Sequence, residues 1–354
     1  MPDDVPVEDH PLVRRTRALA DEVLAPAAAE VDRTCVPRSH LDALAAAGVL
    51  AASAPPELGG VPAPVARRVQ ELVAGADLST WFVQAQHHTP VRALAAAGTR
   101  PDLLADLAAG RSVGGIAFSH LRRRPARVLT ATPDGDGWRL DGTAPWYTGW
   151  GLNDVALAGA LTDDDRVVLA LVEPRPSATL SAGEPLATAA LAAARTVVLT
   201  FAGHRVGAAD VVDVQPADAW AAADARATVN VSPAVFGLAA SALRLLAEHG
   251  VRRREPAAVA AAAALGAELD GVRERAYRLV DEVPPGEALE ERLALRSRAL
   301  RLAVDAGTAL VTAGAGGAMA ADAAGQRKAR EALFLLVQAQ TAALRAATLA
   351  TFAR

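Results

Sequence analysis

The sequence predicts an α+β fold in three parts. These are an N-terminal α-helical domain over residues 1–111, a middle antiparallel β-domain over 112–214, and a C-terminal four-helix bundle over 215–354. Apolar residues recur at helical spacing in the outer parts, whereas the middle part is rich in Val, Thr and aromatic residues. The hairpin signal Asp134-Gly135-Asp136-Gly137 also lies in this middle part. Runs of helices on either side of a run of strands indicate the α+β class.

In the first part, apolar positions 12, 19, 23 and 31 follow a helical period that Ala25-Pro26 interrupts. Further helices are predicted over 39–50, 65–74, 78–97 and 100–109, with a loop rich in Pro and Gly over 53–64. Strands are predicted over 115–121, 127–132, 138–150, 155–161, 167–172 and 196–201.

The last part returns to helices. Ser232 followed by Pro233 predicts a helix start, and Gly250 predicts its end. Pro284-Pro285-Gly286 separates two long helices, the second of which, over 287–312, carries a leucine and valine stripe typical of a bundle. A final helix is predicted from about 326 to near the end of the chain.

Composition narrows the functional classes. The 354 residues are 52% hydrophobic and 21% charged, with a net charge of -4 that gives no basic surplus for nucleic acid. A single cysteine, Cys35, argues against a disulfide framework, and the scattered histidines predict no metal site. No secretory leader and no membrane span are predicted, so a cytoplasmic location is expected.

The stretch Asp141–Asn153, DGTAPWYTGWGLN, carries the most specific chemical signal. Its triplet Trp146-Tyr147-Thr148 is an aromatic pair followed by a hydroxyl, on a predicted strand between turn signals. Such a group can cover a flat ring and hydrogen-bond its edge. The alternative is that both aromatic side chains belong to the β-domain core and Thr148 is an ordinary strand hydroxyl.

Six motifs in order resemble the acyl-CoA dehydrogenase family. They comprise a loop closing on Gly-Gly, a strand ending on a serine, a hairpin leading into Trp-Tyr-Thr, the closing strands of a middle domain, a first bundle helix, and a glycine-rich turn with an arginine-bearing helix. The corresponding segments are 45–60, 114–119, 137–148, 190–214, 237–243 and 314–330.

The resemblance implies an FAD between the β-domain and the bundle, with its adenine end reaching a neighbouring subunit of a homodimer or homotetramer. Trp146 would shield one face of the isoalloxazine, with Tyr147 beside it. Thr148 would hydrogen-bond the N5 edge, and Phe118 and Ser119 would contact the cofactor, Ser119 at the pyrimidine side. In place of the family's R-x-x-F-G segment, Arg252 and Arg253 are expected at the diphosphate, or alternatively at a solvated helix end.

The sequence departs from the family where its catalytic glutamate is expected. Neither Leu333–Gln338 nor Ala225–Asn230, the two matching segments, contains a carboxylate. Glu331 is nearby, and we expect it to be a solvated residue beside Arg327 and Arg330.

Two other segments are unusual. The helix 78–88 ends in Gln84, Gln86, His87 and His88, which are polar for a fatty-chain lining. We expect surface histidines there, with His87 and His88 as the candidates for a replacement base because imidazole titrates near neutral pH. The basic loop 120–125 is expected either to touch the phosphates of a CoA or carrier arm or to be an exposed turn.

The predicted function is therefore α,β-dehydrogenation of an acyl thioester by an FAD-dependent enzyme. The missing glutamate leaves two alternatives open. One is a flavin monooxygenase on the same fold, which needs no α-proton base. The other is a non-catalytic subunit that forms a hetero-oligomer with a catalytic paralogue.

Overall fold

The computed structural model describes residues 5–353. The N-terminal part is helical, as predicted. Its third helix ends at Gly48 and its fifth at Gly98, both in the left-handed conformation that favours glycine. The fifth helix begins at Asp77, whose carboxylate accepts hydrogen bonds from the backbone N–H groups of Ser79 and Thr80. The helices are α1 Pro11–Leu19, α2 Ala25–Arg33, α3 Arg38–Ala47, α4 Ala63–Ala76, α5 Leu78–Ala97 and α6 Pro101–Ala108.

The middle part forms one eight-stranded sheet. Its strands are β1 Gly114–Ala117, β2 Leu129–Asp134, β3 Gly137–Tyr147, β4 Val155–Leu161, β5 Arg166–Val172, β6 Leu180–Ala182, β7 Val197–Val206 and β8 Val211–Pro216. The order across the sheet is β6-β7-β3-β2-β4-β5-β8, and β1 pairs with β4.

The sheet corrects the prediction of a purely antiparallel domain. β1 is parallel to β4, and β2 meets β4 in one parallel pair, whereas the other pairings are antiparallel. The reason is that the β2–β3 hairpin separates β1 from β4, so the chain re-enters the sheet in its original direction. The predicted strand 115–121 also stops at Ala117 and continues as a 3₁₀ turn, Ser119–Arg123. The short strands β6 and β8 were not predicted.

The C-terminal part is again helical, with α7 Ala217–Thr228, α8 Pro233–Arg253, α9 Pro256–Glu282, α10 Leu289–Gly314, α11 Ala324–Val337 and α12 Ala342–Ala350. Ser232 caps α8 through its side chain, as the sequence predicts. The single final helix predicted from about 326 is two helices, because α11 ends at Val337 and Thr341 caps α12.

The helices from both ends of the chain share one apolar core. This core contains buried side chains from α3 and α5 together with others from α8, α10 and α11, among them Leu44, Leu78, Phe236, Leu300 and Leu335. The sheet has its own core on one face, and its other face packs against Val91, Leu94 and Trp220 of α5 and α7. The three-domain division 1–111, 112–214 and 215–354 stays a prediction.

Helices α4 and α8 cross at two glycines. A Cβ on Gly237 would lie 2.0 Å from the carbonyl oxygen of Glu71, and one on Gly75 would lie 2.8 Å from the carbonyl oxygen of Gly237. The contact therefore requires residues without side chains at both positions. It brings the beginning of α8 against α4, and these two helices form part of the cleft described below.

Two helical stretches, Ala217–Arg253 and Leu289–Met319, are long and apolar enough to cross a membrane by length and composition. Both belong to the C-terminal helical part, and 61% of the most apolar window of the first is buried within the fold. A core helix of a globular protein meets the same criterion, so these stretches are weak evidence for a membrane span.

Candidate active site

Trp146 projects from an irregularity at the end of β3. The register against β7 shifts between Ala144 and Tyr147, as at a β-bulge. The backbone of Trp146 has a φ of 65°, in the left-handed region that a large aromatic residue rarely adopts. Its side chain is 53% exposed. Strain at a bulge that turns a large indole towards solvent is a reason to look for a ligand there.

Tyr147, the next residue, has the opposite environment. It is 0% exposed, and its hydroxyl accepts a hydrogen bond from Nδ2 of Asn153 at 3.1 Å. Burial raises the pKa of Tyr147. Its ring belongs to the sheet core, so the prediction that the Tyr147 side chain contacts a cofactor is corrected. The core alternative applies to Tyr147, whereas Trp146 lies outside the core.

Thr148 is buried beside a second hydroxyl. Its Oγ1 lies 3.1 Å from Oγ1 of Thr196, and its carbonyl oxygen accepts a hydrogen bond from Nδ2 of Asn153 at 2.8 Å. Two hydroxyls that share one hydrogen bond leave one O–H available for another acceptor. The pair therefore has a donor to offer at the edge of a bound ring, next to the indole of Trp146.

The structure brings Ser119 to the same place. Its Oγ donates to the carbonyl oxygen of Pro145 at 3.2 Å, immediately before Trp146. Phe118 points differently, because its ring meets Trp220 of α7 edge-on with the centroids 6.0 Å apart. Ser119 is thus placed next to the segment that carries Trp146 and Thr148, and these three residues are called the platform below; Phe118 packs instead against α7.

Arg252 and Arg253 lie far along the chain from this platform, in the last turn of α8. Both are exposed. Within residues 5–353 neither takes part in an ion pair. Their predicted role at a diphosphate stays a prediction.

A cleft of about 490 Å³ opens between α4, α5 and the start of α8. Its size is within the range of small-molecule sites. Side chains spaced by about one helical turn on α5 line one wall, and Ser232 and Pro233 of α8 line another. The polar and aromatic lining residues are Ser53, Arg67, Gln70, Trp81, His88, Arg92 and Ser232.

A hydrogen-bond network orders the polar wall of this cleft. Nε1 of Trp81 donates to Oε1 of Gln70 at 2.9 Å, and Nε2 of Gln84 donates to the same oxygen at 2.6 Å. Since an indole N–H can only donate, this oxygen must be the acceptor and the Gln70 amide has one orientation. Nε2 of His88 then lies 3.1 Å from Nε2 of Gln70 and 3.1 Å from Oε1 of Gln84.

His87 and His88 are buried, so the expectation of surface histidines is wrong. His88 is 5% exposed and lines the cleft, whereas Nδ1 of His87 accepts a hydrogen bond from the backbone N–H of Gly114 at 3.0 Å. Burial lowers the pKa of His87 to about 4 and that of His88 well below 6.5. Both rings are neutral at pH 7, and His88 is the one placed to meet a ligand in the cleft.

The two segments expected to carry a catalytic glutamate lie away from the cleft in the structure. Leu333 and Val337 are exposed, and Phe334 packs edge-on against Phe82 with the centroids 4.8 Å apart. Ala225–Asn230 lies at the end of α7 and just beyond it. Neither segment lines the cleft.

Glu331 is not the solvated residue that we expected. It is 2% exposed, and its Oε2 lies 3.1 Å from Nζ of Lys328. Burial raises the pKa of Glu331 and lowers that of Lys328, while their mutual attraction opposes both shifts. The carboxylate is held in an ion pair inside the helical core and does not line the cleft, so it is not positioned as a base there.

The basic loop 120–125 is tied to the protein's own carboxylates. Arg122 makes two hydrogen bonds to Asp224, at 2.7 and 2.6 Å, and Arg124 pairs with Asp165 and Asp218. His120 is buried, and its Nε2 donates to the carbonyl oxygen of Gly159 at 2.8 Å. The loop is neither free to meet phosphates along its length nor a simple exposed turn.

The sequence is similar to known proteins. A model of the N-terminal domain of acyl-CoA dehydrogenases matches residues 7–110. A probable acyl-CoA dehydrogenase, fadE25, of Mycobacterium leprae is 35% identical over 169 residues, which cover 45% of this chain and 43% of that protein. The short-chain specific acyl-CoA dehydrogenase of mouse mitochondria is 26% identical over 56% of this chain and 52% of its own length. The matched stretch thus spans about half of each relative.

The N-terminal part of the chain thus matches the acyl-CoA dehydrogenase family.

The family fold covers the whole chain. Butyryl-CoA dehydrogenase of Megasphaera elsdenii superposes with a TM-score of 0.84 over 99% of both chains at 17% identity. A glutaryl-CoA dehydrogenase in complex with glutaryl-CoA gives 0.80 over 97% of this chain and 94% of that one at 18% identity. PigA with FAD and proline gives 0.82 over 100% and 99% at 17% identity.

The sequence did not point to several residues of the candidate site. Gln70 orders the cleft wall, Arg92 lines the cleft, and Thr196 and Asn153 hold Thr148. Gln70 and Arg92 occupy ordinary polar positions on amphipathic helices, so no local signal marks them. Asn153 could have been found, because it closes the aromatic stretch 141–153 directly after a glycine turn.

Proposed function

We propose that this protein is an FAD-dependent oxidoreductase that removes hydrogen from the α and β carbons of an acyl thioester. The observation that carries the proposal is the exposed indole of Trp146, which a strained backbone holds beside Ser119 and the Thr148–Thr196 hydroxyl pair. An aromatic face next to hydroxyl donors suits a flat heterocycle with polar edges. Bound FAD would supply the acceptor for the hydride that leaves the β carbon.

The platform residues would bind and orient the cofactor. Trp146 would cover one face of the ring, and the free O–H of the Thr148–Thr196 pair would donate to its edge. Ser119 would contact the pyrimidine side. In a homodimer or homotetramer, the exposed Arg252 and Arg253 would meet the diphosphate of a neighbouring subunit's cofactor.

Helix α5 links the wall of the cleft to the strand that leads to this platform. His88 lines the cleft, and its neighbour His87 accepts the hydrogen bond from Gly114, the first residue of β1. Strand β1 leads within two residues to Ser119. For the reaction, an acyl chain in the cleft would have to reach the edge of a ring bound on the platform.

His88 is the proposed proton acceptor. Of the ionisable side chains that line the cleft, Arg67 and Arg92 are permanently charged, whereas His88 is a neutral imidazole at pH 7. Its low pKa makes it a weak base, so we expect slow turnover. Because only the neutral ring accepts a proton, the acid limb of kcat/KM should lie below pH 6.5.

The test is anaerobic mixing of the purified yellow protein with acyl thioesters, monitored by loss of flavin absorbance. His88→Gln should slow this bleaching by about 100-fold, the lower end of the general-base contribution. His249→Gln, at the other end of the bundle, is the matched control and should bleach at the wild-type rate. Bleaching that His88→Gln leaves unchanged would rule out the base, and no bleaching with any thioester would rule out the dehydrogenase.

A second candidate is a flavin monooxygenase. It is favoured by one observation: the described residues that line the cleft include no carboxylate. This candidate predicts oxygen consumption when a reductase supplies reduced flavin, with no bleaching by thioesters. A non-catalytic subunit, the third possibility, predicts that neither reaction occurs until a catalytic paralogue is added to form a hetero-oligomer.

A further inference from the structure

The cleft carries more positive charge than an apolar acyl chain requires. Its ionisable lining residues are Arg67, Arg92 and His88, and no acidic side chain is among the described lining residues. Apolar pockets keep only a few polar groups, each with a purpose in orienting the ligand. A cleft with two guanidinium groups is therefore suited to a ligand with a negative charge.

The two arginines differ in whether a carboxylate pairs with the guanidinium. Nη2 of Arg67 lies 2.6 Å from Oδ2 of Asp281, and its guanidinium stacks 4.6 Å from the ring centroid of Tyr277. Arg67 is therefore already paired from outside the cleft.

Arg92 makes no such pair within residues 5–353. Its Nη1 donates to Oγ of Ser53 at 3.2 Å and its Nη2 to Oγ1 of Thr89 at 3.5 Å, and both acceptors are neutral. A guanidinium has five N–H donors, so most of its donor capacity remains free. The side chain is exposed at the cleft, where a ligand can reach it.

Side chains from α4 and α5 supply a polar wall beside Arg92. Gln70 of α4 accepts hydrogen bonds from Trp81 and Gln84 of α5. Nε2 of His88 either accepts from Gln70 or donates to Gln84, so these groups are held in place before a ligand binds. Placing a polar ligand against this wall costs little desolvation free energy. An aliphatic chain in the same place would leave buried polar groups beside apolar atoms.

We propose that the cleft selects acyl groups that carry a carboxylate at the end remote from the thioester, and that Arg92 binds this carboxylate. This inference rests on the proposed function, since it assigns the substrate class of the same site. The ligand would be the monothioester of a dicarboxylic acid. Arg92 determines specificity and takes no part in the chemistry.

The same guanidinium could meet a phosphate of the CoA arm. Thioesters of N-acetylcysteamine contain no phosphate, so they separate the two sources of negative charge. The experiment compares binding of the succinyl and butyryl thioesters of N-acetylcysteamine to the intact purified protein by titration calorimetry. The two acyl groups have the same chain length and differ in the terminal carboxylate.

The succinyl thioester should bind about 10-fold more tightly than the butyryl thioester, as expected for one charge-assisted contact. Arg92→Gln should remove this preference, and Arg92→Glu should reverse it. Arg14→Gln, an exposed arginine on α1, is the matched control and should retain the full preference. Thermal unfolding of each variant checks that the fold is intact.

Equal binding of the two thioesters to the wild-type protein would overturn the inference while leaving the proposed function in place. So would an Arg92→Gln variant that loses affinity for CoA alone and keeps its preference for the succinyl thioester. Failure of both thioesters to bind would contradict the proposed function, and this inference with it.

Discussion

Lys328 and Glu331 form a fully buried ion pair one turn apart on α11, with Nζ 3.1 Å from Oε2. Nζ of Lys328 also donates to the carbonyl oxygen of Gly75 at 3.0 Å, at the end of α4. The ammonium thus joins the last third of the chain to the first. It also satisfies a carbonyl that the helix end leaves without an internal partner.

We expect Lys328→Met to lower the free energy of unfolding by about 3 kcal/mol, the lower end of the range for breaking a buried pair. It removes the nearer of two cations beside the buried Glu331 carboxylate and leaves only Arg327, whose Nε lies 3.6 Å away. The double variant Lys328→Met/Glu331→Met should recover most of this loss. Urea unfolding measures both. Arg298→Met, which breaks an exposed pair with Glu268, is the control and should cost less than about 1 kcal/mol. If Lys328→Met lowers the free energy of unfolding no more than this control does, breaking the buried pair does not destabilise the protein.

Trp146→Gly should separate cofactor binding from stability. Glycine adopts the left-handed backbone without strain, which offsets the loss of the half-exposed indole, so the apoprotein should change by no more than about 1 kcal/mol. Affinity for FAD should fall by about 10-fold, because the stacking face is removed. Fluorescence titration of the apoprotein with FAD measures this. Trp138→Gly, at the other end of β3, should leave the affinity unchanged; equal losses in the two variants would argue against the platform.

Tyr147→Phe should lower stability and leave FAD affinity unchanged, which is the reverse of the effect expected for Trp146→Gly. Removal of the hydroxyl leaves Nδ2 of Asn153 with its bond to Thr148 and without its bond to the phenol, at a cost of about 1 kcal/mol. Chemical unfolding should show this loss while FAD affinity stays at the wild-type value. A drop in FAD affinity as large as that of Trp146→Gly would indicate that the Tyr147 side chain contacts the cofactor.

Acid should destabilise the protein from about pH 6.5 downwards. Burial lowers the pKa of His87 and of His120 to about 4, whereas in the unfolded chain both take up a proton near pH 6.5. The unfolded state then binds more protons between these values, so stability is complete above pH 6.5 and is lost as the pH falls towards 4. Each histidine contributes a slope of up to about 1.4 kcal/mol per pH unit.

His120→Gln should reduce that slope by one histidine's share, and urea unfolding at pH 7.5, 6 and 5 would measure it. His249→Gln serves as the control because its ring is only partly buried, near the end of α8. If stability rises on acidification, or if His120→Gln leaves the slope unchanged, burial does not lower the pKa values of these histidines.

The sequence by itself determined the class of fold and the order of its parts. Helical periodicity located α3, α5 and α10, and short runs rich in apolar and β-branched residues located β4, β5 and β7, because these patterns arise from local geometry. The Trp146 triplet and Ser119 were likewise found as short motifs. Patterns of this kind fail at Tyr147 and Trp146, which are adjacent and equally aromatic. Adjacent strand residues face opposite sides, and the packing of the sheet decides that the Tyr147 side is buried and the Trp146 side is open.

Tertiary structure decided everything that depends on partners distant in sequence. Glu331 was expected in solvent, but it is buried beside Lys328, whose ammonium also donates to the carbonyl oxygen of Gly75, more than 250 residues away. His88 was expected at the surface, yet Gln70 and Gln84 bury it in a cleft wall. Periodicity records which face of a helix is apolar, whereas the choice of neighbour for each polar side chain is made only when separate helices pack together. That choice fixes both the charge of the buried groups and the chemistry of the cleft.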